Sequence, residues 1–146
     1  MVKILIAEDE EIMRDMLLRF FEKRGCSVTT ASDGLEALDK FKEIEPDIAI
    51  MDNHMPVMNG LDVLHALGDD ADKVIIMSGD NSIETYFKSI SLGAADFIHK
   101  PFDLDLMEGI VVSHLKRLEK RKDNYDGGGY ANVNKVNQIA AGGRRC

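Results

Sequence analysis

Apolar residues along this chain fall into two alternating patterns. Residues 2–7 (VKILIA) form a short apolar run rich in β-branched residues, which predicts a buried strand. Glu8, Asp9, Glu10 and Glu11 follow. Ile12, Met13, Met16, Leu17, Phe20 and Phe21 then recur at helical spacing until Gly25 ends the pattern. Residues 27–31 (SVTTA) predict a second, more polar strand, and Asp33-Gly34 turns the chain. Leu35, Leu38, Phe41 and Ile44 mark a second helix, stopped by Pro46. Residues 47–51 (DIAIM) predict a third strand. After the Met55-Pro56 and Asn59-Gly60 turn signals, Leu61, Leu64 and Leu67 mark a short third helix. Residues 73–77 (KVIIM) predict a fourth strand. Ile83, Tyr86, Phe87 and Ile90 mark a fourth helix, closed by Gly93. Residues 95–99 (ADFIH) predict a fifth strand, broken by Lys100-Pro101. Asp103 is the expected N-cap of a long last helix, with Leu106, Met107, Ile110, Val111, Leu115 and Leu118 facing inward.

Strand and helix thus alternate five times. That order predicts an α/β fold, (βα)5, with a doubly wound parallel five-stranded sheet covered by helices on both faces. Right-handed crossovers leave few topologies. The flavodoxin-like strand order 2-1-3-4-5 is the expected one. It makes strands 1 and 3 neighbours and puts the switch point at their carboxyl ends.

Past residue 123 the pattern stops. Residues 124–146 (NYDGGGYANVNKVNQIAAGGRRC) are rich in Gly and Asn, which predicts a flexible tail after a domain spanning 1–123. Val133, Val136 and Ile139 could make a weak amphipathic turn or two, against the cost of helix nucleation. The closing GGRRC resembles a sequence added during cloning.

Charge narrows the function. The chain of 146 residues carries a net charge of −8, although the tail is slightly basic. An acidic body argues against nucleic-acid binding through this domain. The basic run Lys116, Arg117, Lys120, Arg121 and Lys122 reads as the solvated end of a helix, where it complements the dipole. Cys26 and Cys146 provide neither a disulfide framework nor zinc spacing, and a reducing cytoplasm fits best. No apolar stretch approaches the roughly 20 residues of a membrane span, so no membrane insertion is expected.

The expected topology gathers chemistry on one edge. Glu8 and Asp9 end strand 1, Asp52 ends strand 3, Ser78 ends strand 4 and Lys100 follows strand 5. Three carboxylates in one cleft repel each other, and a divalent cation removes that conflict. Carboxylates, a backbone carbonyl and waters suit Mg²⁺, with Mn²⁺ as a substitute, rather than zinc. An Asp can also act as a nucleophile and form an aspartyl phosphate. The cation, the Lys100 ammonium and the Ser78 hydroxyl would then meet the phosphoryl charge.

The motifs ILIAEDE, D-x-x-M-P-x-x-x-G from Asp52 to Gly60, MSG at 77–79 and FIHKPF at 97–102 together resemble the receiver domain of two-component response regulators, over residues 1 to 121. The resemblance implies that Asp52 is the phosphoacceptor. It implies that Glu8, Asp9, Asp52 and the backbone carbonyl of His54 hold the metal. Ser78 and Lys100 would contact the phosphoryl oxygens, and Ser78 with Phe97 would form the switch pair. The Lys100-Pro101 bond is expected to be cis. The implied donor is a histidine kinase or histidine phosphotransfer protein, and the implied output is protein–protein signalling through the face of helix 4, strand 5 and helix 5. The downstream protein is unknown, and a dimer formed on phosphorylation is left open.

Several positions depart from the commoner pattern. Glu8 stands for Asp, Ser78 for Thr, and Phe97 for Tyr, so Phe97 has no hydroxyl to bond outward. His54 either lends its carbonyl alone or tunes dephosphorylation through its imidazole. His65, His99 and His114 share no ligand spacing. Gly79 is either a turn glycine or leaves the site open to a partner. Met13, Met16, Met51 and Met77 sit at core-like positions.

The expected function is a signalling switch that catalyses its own loading and hydrolysis, working as a single domain. The alternatives are a receiver cut from a longer regulator with a separate output domain, and a phosphorylation-independent binding module. A hydrolase would need a second acid near Asp52 and a cap, which the sequence does not supply. A flavin protein would suffer repulsion between the acidic strand ends and the cofactor phosphate.

Overall fold

The computed structural model describes residues 1–126 and Ile139. The strands are β1 (Lys3–Ala7), β2 (Ser27–Ala31), β3 (Ile48–Asp52), β4 (Val74–Ser78) and β5 (Asp96–His99). The helices are α1 (Glu11–Glu22), α2 (Gly34–Ile44), α3 (Gly60–Leu67), α4 (Ile83–Ser91) and α5 (Leu104–Asp126). All strand pairs are parallel, and the sheet order is β2-β1-β3-β4-β5, as the sequence pattern predicts.

Continuous apolar runs make β1, β3 and β4 strands buried on both faces. β2 is an edge strand, and its Ser-Val-Thr-Thr sequence is only partly covered. One core layer joins Ile4, Ile6, Leu17, Phe21, Ile50, Met107 and Val111 between the sheet and α1 and α5. The other joins Leu5, Ala37, Phe41, Met51, Val63 and Ile76 beneath α2 and α3. Arg24, at the end of α1, pairs with Glu108 on α5 and stacks 3.6 Å over the Phe20 ring. That contact holds the two helices of the first layer together.

The helix starts follow local chemistry. Asp33 caps α2 by accepting from the Glu36 amide. Asn59 and Asp62 form a reciprocal capping box on α3, and Ser82 caps α4. Asp103 sits at the start of α5 and accepts from the Asp105 amide at 3.0 Å.

Some helix faces differ from expectation. Met51 and Met77 are fully buried, but Met16 is 40% exposed, so it does not belong to the core. Leu106 is exposed, whereas Met107, Val111 and Leu115 are buried. α4 differs most: Ile83, Tyr86, Phe87 and Ile90 all lie open to solvent, and its covered positions are Thr85 and Ser89. The helical period is there, but the apolar stripe faces outward. A 3-10 helix at Gly68–Lys73 joins α3 to β4, where the sequence pattern had suggested nothing regular.

The tail expected over 124–146 falls largely outside the described residues. α5 runs three residues past 123, to Asp126. Ile139 is described, and it is fully buried within the α1–α5 core layer. Among the described residues, no helix is long and apolar enough to cross a membrane.

Candidate functional site: an acidic edge beside a lysine

The register levels the strand ends. Ala7 pairs with Met51, Asp52 with Met77, and Ser78 with His99. Backbone bonds continue past the strands and fix the next residues: Glu8 donates to the Ala31 carbonyl, Asn53 to Met77 and Lys100 to Ser78. Glu8, Asp52, Ser78 and Lys100 therefore rise from one platform. The Lys100-Pro101 bond is cis, as expected.

Carboxylate oxygens of Glu8, Asp9 and Asp52 lie within 4.8 Å of one another. Glu8 and Asp52 are buried, and Asp9 is exposed at the mouth. Lys100 Nζ is 2.7 Å from Glu8 Oε2 and 3.4 Å from Asp52 Oδ2. One cation thus faces three anions. Burial, opposed by the Lys100 hydrogen bond and assisted by the charge of Asp52, pushes the Glu8 carboxyl up to about 7. Burial works against the Lys100 charge, but its hydrogen bond to Glu8 and the charges of Asp52 and Glu8 hold its pKa above the usual lysine value. A cluster with this surplus of negative charge and hard oxygen donors suits a divalent cation.

The loop after Asp52 is shaped by two glycines and one strained residue. A Cβ on Gly60 would lie 2.9 Å from the Asp52 carbonyl oxygen, so the close return of α3 onto β3 requires glycine there. A Cβ on Gly34 would lie 1.9 Å from the Met58 carbonyl oxygen, and this clash fixes how the loop packs on α2. Between them, Val57 has φ +70° and centres a tight turn in which Met58 N–H donates to the Pro56 carbonyl at 2.8 Å. A β-branched residue in that conformation is strained, and its side chain points into solvent.

The remaining sequence candidates sort clearly. Ser78 is fully buried, and Phe97 is buried with its ring edge-to-face against Tyr86 and His99. His54 is exposed at the rim. His65 and His99 are exposed, and His114 bonds to Asp96 at 2.8 Å, away from the acidic edge. Gly79 has neither a positive φ nor an atom within 4 Å of where a Cβ would stand, so neither the turn nor steric crowding demands glycine.

Two contributors were not foreseen. Arg14 Nη1 donates to the Glu8 carbonyl at 2.9 Å and so ties α1 to the end of β1. Its signal was a lone base among the acids that open α1. Asn53 is buried, and its Oδ1 accepts from the Leu61 amide at 3.3 Å, which seats α3. Its signal was a polar residue directly after a buried strand.

This arrangement matches a known family. The profile of the response regulator receiver domain matches residues 4–112, and the chain belongs to that family of two-component signalling proteins. The chain is 40% identical over 121 residues to the chemotaxis protein CheY of Thermotoga maritima, spanning 81% of this chain and 98% of that protein. It is 35% identical to the regulatory protein AtoC of Escherichia coli over 83% of its own length but only 27% of AtoC. Among solved structures, the receiver domain of a Francisella response regulator superposes with a TM-score of 0.71 at 29% identity, covering 84% of this chain and 99% of that one. NtrX from Brucella abortus, solved in complex with ATP, gives a TM-score of 0.78 at 27% identity, covering 86% of this chain and 29% of NtrX. Receiver domains bind Mg²⁺ at an acidic cluster and interact with histidine kinases or phosphotransfer proteins, and this chain has such a cluster.

Proposed function

We propose that Asp52 accepts a phosphoryl group from a histidine kinase or histidine phosphotransfer protein and that the loaded protein signals by binding another protein. The observation that carries this reading is the buried Asp52 carboxylate, 3.4 Å from Lys100 Nζ and grouped with Glu8 and Asp9. An Asp52 oxygen attacks phosphorus. The bond from phosphorus to the donor nitrogen, or to the acetate oxygen of acetyl phosphate, breaks, and the leaving group departs with the electron pair. Lys100 leaves its contact with Asp52 to meet a phosphoryl oxygen, and Ser78 donates to another. Glu8, Asp9, Asp52 and the His54 carbonyl would hold Mg²⁺, or Mn²⁺ in its place. The bound cation would neutralise the carboxylates and the charge that builds on the phosphoryl oxygens.

His54 contributes its carbonyl, and the alternative is that its exposed imidazole also tunes hydrolysis. An unchanged phosphoryl half-life in His54→Ala would remove that second role. Ser78 and Phe97 relay loading to the face of α4, β5 and α5. The exposed Ile83, Phe87 and Ile90 on α4 support that face as the output surface. Residues 1–123 act as the switch, and Ile139 from the segment beyond packs into its α1–α5 core layer.

Likeness along nearly all of CheY supports a single-domain switch that acts on a separate protein. Likeness to 27% of AtoC supports control of an output domain in the same polypeptide. The size of the natural gene product separates the two.

The test is intact mass after incubation with acetyl phosphate. The expected result is one phosphoryl adduct that needs Mg²⁺ and is absent from Asp52→Asn. No adduct on folded wild type that binds Mg²⁺ would overturn the proposal in favour of a phosphorylation-independent binding module.

A further inference from the structure

Asp80 joins the buried Ser78 hydroxyl to the first turn of α4. Its backbone N–H donates to the buried Ser78 hydroxyl at 3.0 Å. Its carboxylate accepts from the Ser82 amide at 2.9 Å through Oδ1 and from the Thr85 hydroxyl at 3.2 Å through Oδ2. Ser82 is the N-cap of α4, and Thr85 is one of the two residues that α4 buries. One residue further on, Tyr86 meets the ring of Phe97 edge-to-face, with centroids 5.6 Å apart. A chain of direct contacts thus runs from Ser78 through Asp80 and Thr85 to Tyr86 and Phe97.

α4 has little else to hold its first turn. Ile83, Phe87 and Ile90 face solvent, so burial contributes little to its seat beyond the Tyr86–Phe97 contact. Two side-chain hydrogen bonds from one carboxylate are then a large share of what fixes that turn. The Ser78 hydroxyl has the matching property. Its oxygen accepts from Asp80 in this arrangement, and movement of that oxygen toward a phosphoryl group on Asp52 takes it away from the Asp80 amide.

We propose that Asp80 is a positioning residue, a clasp that holds the Ser78 hydroxyl and the first turn of α4 in the unloaded arrangement. Turning the Ser78 hydroxyl toward the phosphoryl group removes the acceptor of the Asp80 amide and loosens the clasp. The first turn of α4 is then free to shift, and Tyr86 releases Phe97. This inference rests on Asp52 being the phosphoacceptor. The clasp biases a two-state equilibrium toward the unloaded state, so weakening it raises the population ready to load.

The test uses the full chain with Asp80→Ala, Asp80→Asn and Thr85→Val. The first readout is amide hydrogen exchange of α4 without metal or phosphoryl donor. The second is the rate of loading by acetyl phosphate with Mg²⁺. Asp80→Ala should speed exchange at Tyr86 and Phe87 by about tenfold and loading by about fivefold, the scale of one or two lost hydrogen bonds. Thr85→Val removes one bond without changing charge and should give a smaller rise in both. Asp80→Asn keeps an oxygen for the Ser82 amide and an NH₂ for the Thr85 hydroxyl, so it should fall between wild type and Asp80→Ala.

Exchange in Asp80→Ala equal to wild type would overturn the clasp. So would equal loading rates in Asp80→Ala and Asp80→Asn, because removal of a negative charge would then explain both. A wild type that never takes up phosphoryl overturns the function proposed above. The exchange comparison needs no phosphoryl group and still decides the clasp.

Discussion

The two ends of the sheet carry charge in opposite ways. At the amino end, a cleft of about 750 Å³ is lined by residues such as Lys3, Asp69, Lys73 and Arg121. Two ion pairs lie near its surface, Lys73 with Asp70 and Arg121 with Asp72. At the carboxyl end three carboxylates face one lysine, and two of the three are buried. Paired surface charge costs little to keep and contributes little. Unbalanced buried charge is expensive, and it persists where something else is to be bound. Unbalanced buried charge, rather than the volume of a cleft, is what marks the carboxyl end as the candidate site.

The largest expected effect comes from removing the cation at the carboxyl end. Lys100→Met leaves Glu8 buried without its partner and should lower stability by about 2 kcal/mol at pH 8 in urea unfolding. The loss should shrink toward pH 5, because the raised Glu8 carboxyl then holds a proton in the folded protein. The sign follows from that shift. Folded Glu8 releases its proton at about 7 and the unfolded chain at 4.5, so the metal-free protein loses stability as pH rises through that window. Mg²⁺ should offset the loss.

Removing an anion should do the reverse. Asp52→Asn should raise the stability of the metal-free protein by about 1 kcal/mol, through relief of like-charge repulsion. Saturating Mg²⁺ should cancel the difference, because wild type gains more from the cation. Thermal melts with chelator and with Mg²⁺ check both statements. A variant destabilised without metal would break the comparison between the two ends.

Strain at the same edge gives an effect of similar size. Val57→Gly should stabilise by about 1 kcal/mol, because glycine has no Cβ to strain at φ +70° and the Val57 side chain is exposed. The smallest effect belongs to the amino end. Arg121→Ala breaks an exposed pair with Asp72 and should change stability by less than about 0.5 kcal/mol. A larger loss would mean that the amino end also depends on its charges.

Much of this was legible in the sequence for physical reasons. The runs ILIA, IAIM and VIIM have one reading, because a strand covered on both faces must be apolar throughout. Glu8, Asp52 and Ser78 were legible because each directly follows such a run. The orientation of α4 was not. Its spacing of Ile83, Tyr86, Phe87 and Ile90 predicts a helix with an apolar face, but periodicity does not say which face the sheet covers. Thr85 and Ser89 are small enough to let α4 pack closely, and the large residues are left outside. Met16 and Leu106 fail in the same way, as single apolar residues on the outer side of amphipathic helices. The Asp80 clasp was also hidden, since a loop Asp near a Ser reads as an ordinary helix start.

One measurement tests the central claim most directly. The protein is loaded with acetyl phosphate and Mg²⁺, reduced with borohydride so that an aspartyl phosphate becomes homoserine, and mapped by peptide mass. Homoserine at position 52, and at neither Glu8 nor Asp9, is the predicted result. Modification at Asp9 or at a distant carboxylate, or equal labelling without Mg²⁺, would contradict the assignment of the buried Asp52 as the phosphoryl acceptor.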